Sequence, residues 1–213
     1  MGVEFVTDPN IKDNIINLFP EPVCQVPLRG LTSAELKYIT SLSRIKNHGN
    51  EMSEETYVLD DPNLLSLKQD ISTRVTKFYQ AVSQHNSDTG LRLTQSWCNY
   101  TKEGEFHHAH LHPNSIISGV YYPQAEEGVD RITFYKNIWN QNHRVDAQEN
   151  NHWNSESWWI PVQTGDLVLF NSNLRHDVPR KGKSERERIS LSFNTFHTGA
   201  VGSRENLTEV ILP

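Results

Sequence analysis

The stretch "RISLSFNTF", residues 188–196, decides the fold. Read two residues at a time, Arg188, Ser190, Ser192 and Asn194 fall on one face, and Ile189, Leu191 and Phe193 on the other. A helix would instead place its apolar residues every third or fourth position. The same alternation runs through "LRLTQSWCNY" (91–100), "SIISGVYY" (115–122), "RITFY" (131–135) and "DLVLF" (166–170). Aromatic and β-branched residues, which suit a pleated surface, concentrate in these runs. Several short strands with irregular connections predict a mainly β sandwich or barrel from residue 91 onward.

Upstream the period changes. "LTSAELKYITSLSRI" (31–45) opens with Thr32 and carries Glu35 three residues on, the pattern of a capping box. Leu36, Ile39, Leu42 and Ile45 follow at helical spacing, and Gly49 reads as the stop. A second helix is expected to start near Asp61-Pro62, with the stripe Leu64, Leu67, Ile71, Val75, Phe78 and Val82, and to end in "HNSDTG" (85–90). Two helices with one dry face each need a surface to cover. The expectation is a single domain, with residues 1–90 as a helical buttress against a β core of 91–213. Residues 136–156, polar and rich in Asn, read as a long loop of the kind that covers or binds.

The 213 residues suffice for one domain with a substantial core. A 22% charged and 36% hydrophobic composition suits a soluble globular chain. The net charge of −6 offers nucleic acid no general basic field. A local basic run, "RKGKSERER" (180–188), reads as a solvated loop. Cys24 and Cys98 lack paired spacing and read as reduced thiols. Neither a leader segment nor an apolar run of membrane-spanning length is evident, so a cytoplasmic protein without a membrane partner is expected. The sequons at Asn99 and Asn206 are then chance matches.

Chemistry gathers at "HHAHLH" (107–112), which holds four of the ten histidines. On a strand, His108, His110 and His112 would point one way, and His107, Ala109 and Leu111 the other. Alternate imidazoles can share one ion, and imidazole suits Fe, Zn, Cu or Ni rather than Mg or Ca. A His-rich surface strand is the plain alternative. His-x-His fills only two coordination positions. His176, just past the run 167–170, stands where a loop can turn it back into a barrel mouth. Arg188 and Ser190 on one strand face could clamp a carboxylate through a forked guanidinium and a hydroxyl, or form a solvated polar row.

"GDLVLFNSNLRHDV" (165–178) followed by "RISLSFN" (188–194) resembles the distal half of the iron(II)- and 2-oxoglutarate-dependent oxygenases. "GEFHHAHLHPNSIISGVYY" (104–122), "NLFPEPVCQVPL" (17–28) and "SFNTFHTGAVGSRENLTEV" (192–210) resemble the members found in marine phages and bacteria. The resemblance implies a double-stranded β-helix, the cupin-like jelly roll. It implies Fe(II) as cofactor, 2-oxoglutarate as cosubstrate, and hydroxylation of a small-molecule or protein substrate with release of succinate and CO2. His176 matches the distal iron ligand and His110 the first proximal one. Arg188 matches the 2-oxoglutarate arginine, with Ser190 its hydroxyl partner. Where the superfamily carries His-x-Asp or His-x-Glu, this chain has His110-Leu111-His112, so either His112 or water completes the site. Tyr100 is a candidate donor to 2-oxoglutarate. Asn99, His108 and Ser118 are candidates for supporting or substrate contacts, with His107 read as a surface residue. A homodimer and, for a phage-encoded chain, the host cytoplasm are compatible expectations.

Two rival readings stay open. Gly104, five residues, then His110-x-His112 fits the first half of a cupin motif, and a three-histidine cupin dioxygenase uses no 2-oxoglutarate. Alternatively the jelly roll is a non-catalytic binding module, with Trp139, Trp153, Trp158 and Trp159 as its ligand platform.

Overall fold

The computed structural model describes residues 5–6, 15–84, 88–136, 148–184 and 186–213. In chain order the elements are β1 (Phe5–Val6), β2 (Ile15–Ile16), β3 (Val23–Pro27), α1 (Ser33–Ser41), β4 (Arg44–Lys46), β5 (Glu51–Ser53), α2 (Leu65–Ser83), β6 (Thr89–Thr101), β7 (His107–His110), β8 (Ile117–Gln124), β9 (Arg131–Tyr135), β10 (Ser157–Pro161), β11 (Asp166–Asn171), β12 (His176–Val178), β13 (Arg188–Val201) and β14 (Val210–Leu212). A major antiparallel sheet has the order β3-β11-β8-β13-β6-β5-β4, with β14 added beside β13. A minor antiparallel sheet has the order β10-β9-β12-β7. β1 and β2 pair with each other as a separate two-stranded sheet among the described residues.

The alternation read from the sequence sorts the two faces of the major sheet. Cys98 and Tyr100 on β6, Ile117 and Tyr121 on β8, Leu167 and Leu169 on β11, and Ile189, Leu191 and Phe193 on β13 pack with Ile39 of α1 and Leu67, Ile71, Val75 and Phe78 of α2. The opposite face meets the minor sheet through Val120, Tyr122, Val168 and Phe170 against Ile132 and Phe134. Toward β6 and the start of β13 that second face turns polar, with Asn99, Thr101, Arg188, Ser190 and Ser192. The helix-side layer is therefore the hydrophobic anchor, and the gap between the sheets is free to hold chemistry.

Gly119 of β8 is needed for this packing. A Cβ there would run into the Phe193 ring and come within 2.7 Å of Leu169 Cδ2. Gly119→Ala is expected to cost about 1–3 kcal/mol through overpacking, read as a lower urea midpoint at unchanged slope.

The capping box forms as expected, with the Glu35 amide donating to Thr32 Oγ1 and the Thr32 amide donating to the Glu35 carboxylate. Arg29 also grips Glu35, at 2.6 Å, and holds its carboxyl down to about 2. The first helix is shorter than its apolar stripe suggests. It stops at Ser41, Leu42 is extended, and Arg44–Lys46 becomes a strand whose Ile45 pairs with Met52. Sheet pairing with Glu51–Ser53 outcompetes helical spacing for this short run around the β-branched Ile45. Residues 1–90 thus supply β3, β4 and β5 to the major sheet as well as the helices, so the buttress is mixed rather than helical. The second helix begins as expected, with Asp61 accepting from the Asn63 amide ahead of the turn that leads into α2. Val82, expected in its buried stripe, is 40% exposed at the helix end.

Candidate active site

Three imidazoles meet between the sheets. His176 on β12 lies directly across the strand pair from His110 on β7, and side chains so paired project to one side. Their ring centroids are 4.4 Å apart. His112 follows the end of β7, where its amide donates to the Ser172 carbonyl and brings its ring over. His112 Nε2 then stands 3.2 Å from His176 Nε2. One nitrogen from each of His110, His112 and His176 lies within 4.8 Å of the others.

The protons on these rings are fixed by the backbone. His110 Nδ1 donates to the His108 carbonyl at 2.8 Å, and His176 Nδ1 donates to the Leu174 carbonyl at 2.9 Å. With Nδ1 protonated, each Nε2 presents a lone pair to the shared space. His112 is supported by Asn194, which hydrogen-bonds its ring. Asn194 Oδ1 in turn accepts from Ser118 Oγ, which contacts Ser172 Oγ, and Ser172 donates to Ser115. Ser118 is therefore a support for the His112 partner.

Burial pushes His176 down to about 3 and His112 to about 4, and lowers His110, so all three are neutral at pH 7. Neutral, lone-pair-forward imidazoles are what a borderline divalent cation requires. A metal about 2.1 Å from each nitrogen would separate neighbouring ligands by about 3.0–3.4 Å, which the 3.2 Å spacing of His112 and His176 matches. The residues fit such an ion. The same shifts set the pH behaviour of the metal-free protein. In the unfolded chain these rings take up protons near 6.5, but in the fold only near 3–4. Stability is thus full above pH 6.5 and lost as the pH falls toward 4. Thermal unfolding of chelator-treated protein at pH 7 and pH 5 is expected to show the drop.

The histidine run departs from strict alternation. His176 pairs with His110 and Val178 with His107, so two residues of β12 advance against three of β7, a β-bulge. The bulge turns His107, expected on the outer surface, into the cavity wall beside His110. His108, expected beside His110, is instead exposed, packing edge-on against His48. Its carbonyl accepts from His110 Nδ1, and its ring lies beside those of His107 and His110, with one nitrogen of each within 4.8 Å of the others.

The cavity continues from the imidazoles past Asn99, Ser190 and Ser192 to Arg188. Arg188 and Ser190 thus share the chamber with the triad, as the alternation of β13 requires. Asn99 Nδ2 donates to Ser192 Oγ, while Asn99 Oδ1 and Asn50 Oδ1 on the same wall are buried without a partner among the described residues. Tyr100 does not reach the chamber. It follows Asn99 on β6 and so faces the helices, where its hydroxyl donates to the Ile39 carbonyl at 2.6 Å.

Four residues of the site escaped the sequence reading. Arg188 Nη1 contacts Asp130 Oδ1 at 3.1 Å, and Lys181 Nζ contacts both Asp130 oxygens at 3.0 Å. The side chains of Arg188, Asp130 and Lys181 are 2%, 0% and 0% exposed. Two cations on one anion leave a buried net charge of +1. Tyr122, close enough to feel Arg188 and Asp130, keeps a buried hydroxyl without a partner among the described residues. His107 is the fourth. Lys181 sat inside a run that looked solvated, and Asp130 beside a turn, so no local pattern marked them.

Comparison with known proteins agrees with this geometry. Residues 95–194, which hold His110, His112, His176, Arg188 and the ion partners of Arg188, match the family described as "Putative 2OG-Fe(II) oxygenase". That match spans somewhat less than half of the chain, and the solved structures it resembles share the double-stranded β-helix fold. It resembles an oxidoreductase of the 2OG-Fe(II) oxygenase family from Burkholderia pseudomallei at 15% identity and a TM-score of 0.55, over 82% of this chain and 84% of the other. HygX from Streptomyces hygroscopicus, solved with nickel and 2-oxoglutarate, matches at 14% identity and a TM-score of 0.57, over 83% of each chain. SnoN, a non-heme α-ketoglutarate-dependent epimerase of nogalamycin biosynthesis, matches at 11% identity and a TM-score of 0.58, over 84% of this chain and 81% of its own. No curated protein sequence matches the chain.

Proposed function

We propose that His110, His112 and His176 hold Fe(II), that Arg188 anchors 2-oxoglutarate, and that the protein hydroxylates an organic substrate with release of succinate and CO2. The observation that carries this is one cavity with three neutral imidazoles at one end and a buried, net positive guanidinium cluster at the other. Bound iron would supply the activation of O2. The chain does the rest. His110 and His176 are held with Nε2 forward by backbone carbonyls, so the donor set is preorganised. Three neutral ligands leave the full +2 charge on the ion, which favours a dianionic cosubstrate. Arg188 offers the distal carboxylate a charged fork, with Ser190 on the same wall. The apolar walls Val120 and Ile132 keep bulk water from the chamber.

The cupin reading leaves Arg188 without a task and is the weaker one. The tryptophan platform fares no better. Trp158 and Trp159 are neighbours on β10 and so face opposite sides, Trp153 bonds Asn17, and Trp139 lies outside the described residues. The test is anaerobic. Adding 2-oxoglutarate to iron-loaded protein is expected to produce a new visible absorption, lost in Arg188→Met. Binding of iron with no response to 2-oxoglutarate would favour the cupin reading.

A further inference from the structure

The basic run at 180–188 is not a merely solvated loop. Pro179–Lys183, Gly128, Val129, Arg131 and Arg188 line a cleft of about 260 Å³ that shares Arg188 with the inner chamber but none of its imidazoles. Five of its nine lining residues are Lys or Arg, namely Arg131, Arg180, Lys181, Lys183 and Arg188, and none is acidic. The carboxylate behind them, Asp130, already accepts on both oxygens, from Arg188, Lys181 and the Glu126 amide. The carboxylates of Glu126 and Glu103 stand outside the cleft, bonded to Ser184. Five cations against Asp130 leave a local charge of about +4 in a chain of net charge −6. The floor is built rather than fluid, because the Lys181 and Arg188 side chains are 0% and 2% exposed and locked by Asp130. Gly128 and Gly182 put no Cβ in the way of a ligand.

We propose that this cleft binds a small dianionic oxyanion, with phosphate as its type, and that occupancy weakens the hold on 2-oxoglutarate. The second half rests on Arg188 being the cosubstrate anchor. Convergent ammonium and guanidinium groups favour a tetrahedral dianion over chloride, because each oxygen can take its own charge-assisted donor. Arg188 lines both this cleft and the inner chamber. Two anions drawing on one guanidinium repel each other, and the coupling must be reciprocal.

Inorganic phosphate is titrated into the metal-free protein by calorimetry at an ionic strength fixed with sodium chloride. Saturable binding of one phosphate per chain is expected, and at least about tenfold weaker binding in Arg131→Gln/Lys183→Gln, since two of the five cations are gone. Neither residue touches the inner chamber, so that variant should melt like wild type and bind 2-oxoglutarate as tightly in chloride. Saturating phosphate should raise the 2-oxoglutarate Kd of the iron-loaded wild type by about threefold or more, and leave the double variant unmoved. Absence of saturable phosphate binding, or binding equally strong in the double variant, overturns the site. Phosphate binding with an unchanged 2-oxoglutarate Kd overturns the coupling. A protein that binds phosphate but no 2-oxoglutarate would confirm the cleft and count against the proposed function alone.

Discussion

His176→Ala is expected to abolish both iron retention and succinate formation. In the proposed site the ring would contribute one of three nitrogen donors; it sits 3% exposed within the cluster and is aimed by its own hydrogen bond to the Leu174 carbonyl. No other described side chain can take its place on β12, because the neighbouring Asp177 is engaged by the Tyr135 hydroxyl at 2.6 Å. Losing a partner that merely orients a ligand costs up to about 100-fold in metal affinity, so losing the ligand itself should cost more than that. Equilibrium dialysis with Co(II), read beside succinate release, separates metal loss from misfolding when a thermal melt is recorded on the same sample. Unchanged turnover would remove His176 from the reaction. His112→Ala asks the question that the sequence left open. A fall in affinity similar to that of His176→Ala identifies a third protein ligand, whereas near-normal affinity means that water stands there. His108→Ala, altering an exposed ring outside the His110, His112 and His176 set, should leave both readouts near wild type, whereas a fall would point to the neighbouring group of His107, His108 and His110.

Lys181→Met is expected to weaken 2-oxoglutarate binding by about tenfold or more, although Lys181 lies outside the inner chamber. In the native cluster, Lys181 neutralises Asp130, and the charge of Arg188 remains available. Without Lys181, Asp130 is balanced by Arg188 itself, and the buried net charge of +1 that should meet the distal carboxylate disappears. A difference of one full charge at low dielectric readily exceeds one factor of ten. The effect should fall on the KM for 2-oxoglutarate, with kcat at saturation little changed, because the iron ligands are untouched. Lys181→Met/Asp130→Asn restores the +1 on Arg188 and should recover most of the affinity. A double variant no better than Lys181→Met would show that Lys181 acts by packing rather than by charge.

The two faces of the major sheet were legible because alternation is a local property. Ile189, Leu191 and Phe193 had to go one way and Arg188, Ser190 and Ser192 the other, once the run was a strand. Tyr100 was misjudged although the same rule covered it. Asn99 and Tyr100 cannot both face the chamber, and Asn99 does. His107 and His108 were misjudged for the opposite reason. A one-residue bulge, set by the pairing of β7 with β12, resets the alternation, and nothing within "HHAHLH" announces it. The end of the first helix was lost to a tertiary effect, the claim of β5 on residues 44–46. Asp130 and Lys181 are 51 residues apart and meet only in three dimensions.

The division of labour between the sides of β6, β8 and β13 bears on how this scaffold can change. Every second residue of these strands belongs to the layer that keeps the molecule assembled, and the residues between belong to the wall that meets the reactants. A polar wall position such as Ser192 can be exchanged while the grip of the strand on the helices is left alone. New substrates can therefore be explored one wall residue at a time, without renegotiating the architecture.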